Sequence, residues 1–189
     1  MTRVLLFDVD GVLADTEHLH KKALAVAAAE AGYEVPDHDA STTADKLRVA
    51  GVPVAEIPIV YARKRVLYEQ LIPTVDKNPE LAKALYRIAQ RHLIGACTNS
   101  NHASCNKLLQ YLGVGAVFST IVTSSDVPRG KPFPDIYQMA MLRLNTLPSN
   151  VCIFEDSDTG MEAARRAGVD QVIRCSTATI LEEVQQWLW

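Results

Sequence analysis

Residues 4–11 read Val-Leu-Leu-Phe-Asp-Val-Asp-Gly, an apolar run that ends abruptly in two aspartates. Such a run of consecutive apolar residues is typical of a short strand that is buried on both faces of a parallel sheet. Asp8 and Asp10 both leave the end of this strand, and Gly11 permits a sharp turn directly after them. The segment therefore predicts a buried strand with two carboxylates at its carboxyl end.

The same pattern recurs further along the chain. Apolar runs that end at polar residues lie at 93–97, 121–123, 151–154 and 171–174. Helical patterns with recognisable ends separate them, such as the one that Asn78 caps before Pro79 and the one that Asn101 caps. This alternation predicts an α/β fold, with a Rossmann-like parallel sheet and helices on both of its faces. In such sheets ligands bind beyond the carboxyl ends of the strands.

One stretch, residues 16–76, breaks the alternation. It contains helical patterns separated by glycines and prolines, and Thr42 to Asp45 has the spacing of a capping box. Apolar and aromatic residues recur there at helical spacing, namely Ile57, Val60, Tyr61, Leu67, Tyr68 and Leu71. We predict a Rossmann-like core formed by residues 1–15 and 77–189, with an inserted helical domain at 16–76.

The composition bounds the class of protein. The 189 residues are 48% hydrophobic and carry a formal net charge of −3, which favours a globular chain and gives no reason to expect nucleic acid or a membrane as partner. The four cysteines form no CxxC pair, so we expect buried thiols. No signal peptide or membrane-spanning stretch is expected, which makes the cytoplasm the expected location. We expect a monomer or a weak dimer.

The two aspartates suit phosphoryl transfer. A carboxylate such as Asp8 can attack phosphorus and form an aspartyl-phosphate, which divides one difficult step into two. Asp10 can donate a proton to the leaving group and then accept one from water. The alternative is a solvated turn rich in aspartate. The apolar residues on either side of Asp8-Val9-Asp10-Gly11 favour the catalytic interpretation.

The run Glu155-Asp156-Ser157-Asp158 places acids at the end of the fourth strand. Mg²⁺ prefers oxygen ligands and binds through one or two carboxylates, waters and substrate phosphate. Asp156 is therefore a candidate ligand, and Glu155 is a second one. The alternative is that these acids begin the next helix, where negative charge is favourable, and Asp158 is expected to act as its N-cap.

Two further residues can bind a phosphoryl group. Lys131 lies between Gly130 and two prolines, which restrict the backbone so that its ammonium can be aimed at an anion. Thr98 follows the second strand, and its hydroxyl and the neighbouring backbone N–H groups can bind a phosphate oxygen. A solvated loop lysine and a threonine that merely ends a strand are the alternatives.

Together these segments resemble the four motifs of the haloacid dehalogenase-like superfamily, in the branch that inserts a helical cap after the first strand. Residues 7–16 look like the first motif and Thr98-Asn99-Ser100 like the second. Lys131 within residues 130–137 looks like the third motif, and residues 154–160 look like the fourth. Members of this branch include enzymes similar to β-phosphoglucomutase and to phosphoglycolate phosphatase. The resemblance spans nearly the whole chain.

This resemblance implies a role for each site residue. Asp8 is the nucleophile and a magnesium ligand, Asp10 is the acid and base and a ligand through its carbonyl, and Asp156 completes the ligands. Glu155 supports the metal site indirectly or as an occasional ligand. Thr98 and Lys131 orient the phosphoryl group. The resemblance also makes candidate substrate-binding residues of Thr16, His20, Asn99 and Ser100.

By the same resemblance, an aspartate at position 10 favours phosphate esters. The leading hypothesis is a Mg²⁺-dependent phosphatase of a small phosphorylated metabolite. A sugar-phosphate mutase is the first alternative, because Asp15-Thr16 followed by His20 is similar to β-phosphoglucomutase, although His20 could simply be a partly exposed helix residue. Residues 40–46, which include Lys46, depart from the mutase pattern, and Lys46 could also be a solvated charge. A catalytically silent binding protein is the second alternative.

Overall fold

The computed structural model of the chain describes residues 3–36 and 42–188. Within them, the strands are β1 (Val4–Phe7), β2 (Leu93–Cys97), β3 (Thr120–Val122), β4 (Val151–Glu155) and β5 (Gln171–Arg174). The α-helices are α1 (Glu17–Glu30), α2 (Thr43–Val49), α3 (Ile57–Leu71), α4 (Pro79–Ala89), α5 (His102–Tyr111), α6 (Asp135–Arg143), α7 (Asp158–Arg166) and α8 (Ile180–Val184).

The five strands form one parallel sheet in the order β3-β2-β1-β4-β5. The first strand of the chain therefore lies at the centre, where Val4 pairs with Leu93 of β2 on one side and with Val151 of β4 on the other. Because all strands run in the same direction, their carboxyl ends share one edge of the sheet. The predicted fold class, a Rossmann-like α/β sheet, is confirmed.

The apolar runs form strands because both faces of the sheet are covered. Every residue of β1 is buried. On one face, Leu6 belongs to a core cluster that also contains Ile136 of α6 and Ala163 of α7. One residue along β1, Phe7 stacks on Phe154 of β4 with ring centroids 4.6 Å apart. Strands buried in this way need no polar alternation, which explains their continuous apolar sequences.

The asparagines predicted as helix caps take those positions. The Asn78 side chain accepts a hydrogen bond from the backbone N–H of Leu81 at the start of α4. The Asn101 side chain accepts one from the N–H of Ser104 at the start of α5. Each bond satisfies a backbone donor that has no partner within the helix.

The chain divides into two compact units, one from Met1–Asp15 and Asp76–Trp189 and the other from Thr16–Val75. The second unit has a core of its own, in which Leu24 and Ala28 of α1 pack with Leu47 and Val60. Arg63 of α3 pairs with Glu30 of α1 through two hydrogen bonds of 2.6 and 2.8 Å. Among the described residues of this unit, the regular secondary structure is helical, and residues 31–36 and 50–56 are not helical.

The cysteines and the helices bear on two further expectations. Cys97, Cys105, Cys152 and Cys175 are all free and buried, as predicted. Burial raises the pKa of the Cys97 thiol to about 12, which keeps it protonated at neutral pH. Among the described residues, no helix has the length and apolar character needed to cross a membrane.

Replacing Asn78 with alanine should lower the free energy of unfolding by about 1 kcal/mol, because the Leu81 N–H loses its acceptor. Urea unfolding followed by circular dichroism measures this loss. Asn150→Ala is the matched control, since Asn150 is exposed and does not cap an α-helix. Equal stability of the two variants would contradict the capping role of Asn78.

Candidate active site

Three charged side chains are buried together at the carboxyl edge of the sheet. Asp8 follows β1, Glu155 ends β4, and Lys131 lies in the segment between β3 and α6. Asp8 and Lys131 are each 6% exposed and Glu155 is 0% exposed. Lys131 reaches the two carboxylates because β1 and β4 are neighbours in the sheet.

The ammonium group of Lys131 donates three hydrogen bonds. One goes to Asp8 Oδ1 at 2.5 Å, one to the backbone carbonyl of Cys97 at 2.9 Å, and one to Glu155 Oε1. An ammonium has three protons to donate, so these acceptors satisfy it completely. Lys131 is therefore a fixed cation at the site and not a solvated loop lysine.

The pKa values of the two buried carboxyls, Asp8 and Glu155, shift in opposite directions. Burial raises the pKa of the Asp8 carboxyl well above its usual range; the charge of Lys131 opposes that rise and Glu155 adds to it. Burial acts in the same direction on Glu155, but the charge and hydrogen bond of Lys131, together with hydrogen bonds from Tyr137 and Ser157, outweigh burial and lower the pKa of Glu155. For Lys131, burial disfavours the charge, yet Asp8 first and then Tyr137 and Glu155 outweigh burial and raise its pKa. One ammonium thus serves two carboxylates, and Asp8 is the less compensated of them.

A third carboxylate adds to this negative charge. Asp8, Glu155 and Asp156 each offer an oxygen within 4.8 Å of the others. Burial, and after it the charge of Glu155, raises the pKa of Asp156 to about 6. Oxygen donors gathered in this way around surplus negative charge fit the preferences of a hard divalent cation such as Mg²⁺. Asp8 and Asp156 are the better candidates for ligands, because the oxygens of Glu155 already accept several hydrogen bonds.

Those bonds fix Glu155 at the base of the site. Its Oε1 accepts from Lys131 and from the Tyr137 hydroxyl, and its Oε2 accepts from the backbone N–H groups of Asp156 and Ser157 at 3.0 and 3.1 Å. The Ser157 hydroxyl lies 3.1 Å from the same Oε2. Glu155 therefore connects Lys131 to the backbone that carries Asp156.

The start of α7 differs from the sequence prediction. Ser157 is the N-cap, and its side chain accepts a hydrogen bond from the Gly160 N–H at 3.1 Å. Asp158, predicted as the cap, is instead the first helical residue and pairs with Arg174 at the end of β5. Arg174 also donates to the Asp156 carbonyl at 3.0 Å. The serine takes the cap because its hydroxyl lies at the turn, whereas Asp158 points to the arginine.

The Asp10 carboxylate accepts hydrogen bonds from residues that directly follow β2. The hydroxyls of Thr98 and Ser100 both donate to Asp10 Oδ2, at 2.8 and 2.9 Å. The Ser100 backbone N–H in turn donates to the Thr98 hydroxyl oxygen at 2.9 Å. The structure therefore brings Thr98 and Ser100 to the carboxylate predicted as acid and base.

Asn99 faces the lysine segment. Its amide oxygen accepts from the Lys131 backbone N–H at 2.8 Å, and its amide nitrogen donates to the Lys131 carbonyl at 3.1 Å. A Cβ at Gly130 would lie 2.5 Å from the Asn99 amide oxygen, so this close approach requires glycine. The side chain of Asn99 thus clamps the backbone of Lys131, and its predicted substrate-binding role stays a prediction.

Two other glycines leave room for site carboxylates. Gly11 has φ +90°, and a Cβ there would overlap the Asp156 carboxylate. A Cβ at Gly160, within α7, would overlap Glu155. The glycine after Asp10 is thus required both by the turn and by the approach of a candidate metal ligand.

The remaining candidates lie in the helical unit. Thr16 is buried at the N-terminus of α1 and makes no capping bond with its side chain. His20 stacks on Tyr68 with ring centroids 4.0 Å apart, and its Nδ1 lies 2.9 Å from Lys64 Nζ. His20 is therefore a packed, half-buried histidine. Lys46 lies on α2; residues 40 and 41 of its predicted loop lie outside the described residues.

Sequence reasoning missed three contributors to the site. Tyr137 lies in the segment that resembles the third motif, but sequence reasoning assigned it no role in the site. Arg174 was predicted only as the last residue of a strand. Neither side chain has a sequence pattern that marks its partner, although a polar aromatic on a buried helix face is a usable signal because its hydroxyl needs a partner. The Cys97 carbonyl carries no signal at all.

Comparison with known proteins identifies the family. The sequence pattern of haloacid dehalogenase-like hydrolases matches residues 2–168, and the chain belongs to this family. A phosphorylated carbohydrates phosphatase of Thermotoga maritima is 30% identical over 189 aligned residues, covering 89% of this chain and 82% of that protein. A fructose-1-phosphate phosphatase of Escherichia coli is 30% identical over 177 residues, covering 89% of this chain and 94% of that protein.

A solved structure agrees in fold. The crystal structure of a β-phosphoglucomutase from Clostridium difficile superposes with a TM-score of 0.77 at 22% identity, covering 100% of this chain and 97% of that one. At this identity the likeness bears on fold alone. The predicted family resemblance and the prediction of an enzyme, a hydrolase, are confirmed by the family assignment.

Replacing Gly160 with alanine should destabilise the protein by roughly 1–3 kcal/mol, because the new methyl group would displace the buried Glu155 carboxylate. In an unobstructed helix the same change would stabilise by about 0.5–1 kcal/mol, so the two outcomes differ in sign. Gly115→Ala is the matched control, since its Cβ would meet nothing closer than 3.7 Å. Urea unfolding of both variants measures the difference, and a stabilised Gly160→Ala protein would contradict the contact.

Proposed function

We propose that this protein is a phosphoric monoester hydrolase that acts on a small phosphorylated metabolite, with Asp8 as its nucleophile. The observation that carries the proposal is the buried contact between Lys131 and Asp8, beside a cluster of carboxylates that suits a divalent cation. The substrate class follows from relatives named as phosphatases of phosphorylated carbohydrates and of fructose 1-phosphate. A sugar phosphate is accordingly the expected substrate.

In the first step, an Asp8 oxygen attacks phosphorus and the bond from phosphorus to the ester oxygen breaks. Asp10 donates a proton to the departing alcohol, which leaves an aspartyl-phosphate on Asp8. In the second step, Asp10 accepts a proton from a water molecule as that water attacks the same phosphorus. Inorganic phosphate leaves and the Asp8 carboxylate is restored.

The surrounding residues hold these groups in place. Thr98 and Ser100 orient the Asp10 carboxylate through the hydrogen bonds to its Oδ2. Lys131 holds Asp8 and supplies positive charge where the phosphoryl oxygens gather, and Asn99 fixes the backbone of that lysine. Such preorganised groups lower the barrier because they need not reorient during the reaction.

We infer that Asp8, Asp156 and the Asp10 carbonyl hold Mg²⁺, with Glu155 as support. When bound, the ion neutralises the phosphoryl charge and lowers the pKa of the Asp8 carboxyl. The oxygen-only donor set favours Mg²⁺ over softer metals. We also propose that the helical unit, residues 16–75, acts as a cap that selects the substrate, with Thr16 and His20 among its contributing residues.

The alternatives separate by product. A mutase would return an isomerised sugar phosphate, whereas a phosphatase releases inorganic phosphate. Both relatives reported above are named as phosphatases, which favours the phosphatase over the mutase. A silent binding protein would release nothing; it also has no need for a hydroxyl-bound second carboxylate beside a lysine-bound one.

Purified protein with Mg²⁺ should release phosphate from at least one member of a sugar-phosphate panel, and EDTA should abolish the release. Asp8→Asn should lower kcat by at least about a thousandfold, because an amide is a poor nucleophile. Asp170→Asn is the matched control, since exposed Asp170 precedes the amino end of β5, at the opposite edge of the sheet. No turnover across the panel, or full activity of Asp8→Asn, would refute the proposal.

The affinity for Mg²⁺ should fall as the pH falls. Because burial raises the pKa of Asp156 to about 6, this carboxyl is ionised at pH 7 and mostly protonated at pH 5. A ligand must lose its proton to bind, so the dissociation constant should rise at least about tenfold between pH 7 and pH 5. Calorimetric titration with Mg²⁺ measures this, with Asp156→Asn as comparison. An affinity independent of pH in this window would remove Asp156 from the ligand set.

A further inference from the structure

Tyr137 is the buried phenol beneath the site. It lies in the first turn of α6 and is 0% exposed. Its hydroxyl donates a hydrogen bond of 2.8 Å to Glu155 Oε1. The bond satisfies a polar group that would otherwise be buried without a partner.

The same phenol contacts the catalytic cation. Lys131 Nζ lies 5.0 Å from the centroid of the Tyr137 ring and donates to the same Glu155 Oε1. An ammonium at this distance from an aromatic face is attracted by the ring electrons. Tyr137 therefore touches Lys131 with its ring and touches the competing carboxylate with its hydroxyl.

The phenol is a permanent donor. Burial raises the pKa of Tyr137 well above its usual range, and although Lys131 opposes this, Glu155 and Asp8 reinforce it. The hydroxyl therefore keeps its proton throughout the neutral range, and Glu155 Oε1 receives a constant hydrogen bond.

This arrangement bears on how Lys131 is shared. Asp8 and Glu155 compete for one ammonium, and the more negative oxygen attracts it more strongly. The hydrogen bond from Tyr137 withdraws electron density from Glu155 Oε1, and the ring gives the ammonium a further favourable contact. Without the hydroxyl, Glu155 would draw Lys131 away from Asp8.

We propose that Tyr137 is a positioning residue, which keeps the ammonium of Lys131 on Asp8 by weakening the hold of Glu155. The inference rests on the proposed phosphatase activity. Tyr137 touches neither the substrate nor the reacting atoms; it acts through Glu155 and Lys131. A residue that merely fills the core would tolerate the loss of one buried oxygen without a specific effect on turnover.

Tyr137→Phe, Tyr137→Leu and the matched control Tyr86→Phe test this role. Tyr86 is an exposed tyrosine whose hydroxyl donates to the Gly113 carbonyl, outside the site. Phosphate release from p-nitrophenyl phosphate and from the preferred sugar phosphate gives kcat and KM, and thermal unfolding reports stability.

We expect Tyr137→Phe to lower kcat by about 10- to 100-fold, because the ammonium of Lys131 is no longer held against the Asp8 carboxylate. KM should stay within about twofold, since remote substrate contacts are unchanged. Tyr137→Leu should lower kcat further, because the aromatic ring is also lost. Tyr86→Phe should change neither kcat nor KM. Wild-type kcat in Tyr137→Phe, or a fall in kcat matched by an equal rise in KM, would overturn the proposal.

A double variant tests the route through Glu155. If Tyr137 acts through that carboxylate, Tyr137→Phe combined with Glu155→Gln should have the kcat of Glu155→Gln alone. A double variant whose loss of kcat equals the product of the two single losses would overturn this route. Should Tyr137→Phe alone not fold, the comparison of the double variant with Glu155→Gln still decides, and a kcat of the double variant well below that of Glu155→Gln would overturn the proposal by itself. An inactive wild-type protein refutes the proposed function as well, whereas an active wild type with a fully active Tyr137→Phe refutes only the positioning role.

Discussion

The division of one buried ammonium between two buried carboxylates governs the arrangement of this site. Charges removed from water are tolerated only when they are paired and hydrogen-bonded, and Lys131 meets that condition with Asp8, Glu155 and a backbone carbonyl. The neighbouring positions of β1 and β4 make the sharing possible, because they bring the two carboxylates within reach of one side chain. Asn99 then fixes the lysine at its backbone.

Because two carboxylates share one ammonium, the site holds less positive charge than negative charge. A single cation stands against the carboxylates of Asp8, Glu155 and Asp156. Burial first, and the charge of Glu155 in addition, raises the pKa values of Asp8 and Asp156. A site optimised for stability alone would replace one acid with an apolar or neutral residue. Keeping surplus negative charge in a partly buried cluster makes sense where a cation and an anionic substrate complete the balance, which agrees with the family to which the chain belongs.

The sequence predicted much of the fold because its signals are local. Continuous apolar runs marked the strands, and Asn78 and Asn101 marked helix starts through bonds made three residues away. The positions of Asp8, Thr98 and Glu155 followed from where strands end. Partner choice was harder to predict. Ser157 and Asp158 are both good capping residues, and the sequence does not show that Asp158 pairs with Arg174 at the end of β5 while Ser157 caps the helix.

The same limit applies within the site. Asn99 and Lys131 are 32 residues apart, and nothing in either segment shows that an amide would pair with a peptide backbone. Tyr137 and Glu155 become partners only once α6 lies against the sheet. Contacts between distant segments depend on the assembled fold, so their residues can be recognised as polar and buried without their roles being known.

The central position of β1 has a consequence for how the chain reaches this fold. Its two sheet partners, at Leu93 and Val151, are separated from Val4 by about ninety and about one hundred and fifty residues of chain. During synthesis the first strand therefore waits for both neighbours, while the helical unit at 16–75 is complete before β2 is made and can form meanwhile. An apolar strand exposed for that interval is prone to association with other chains, and the strand at risk is the one that leads into Asp8.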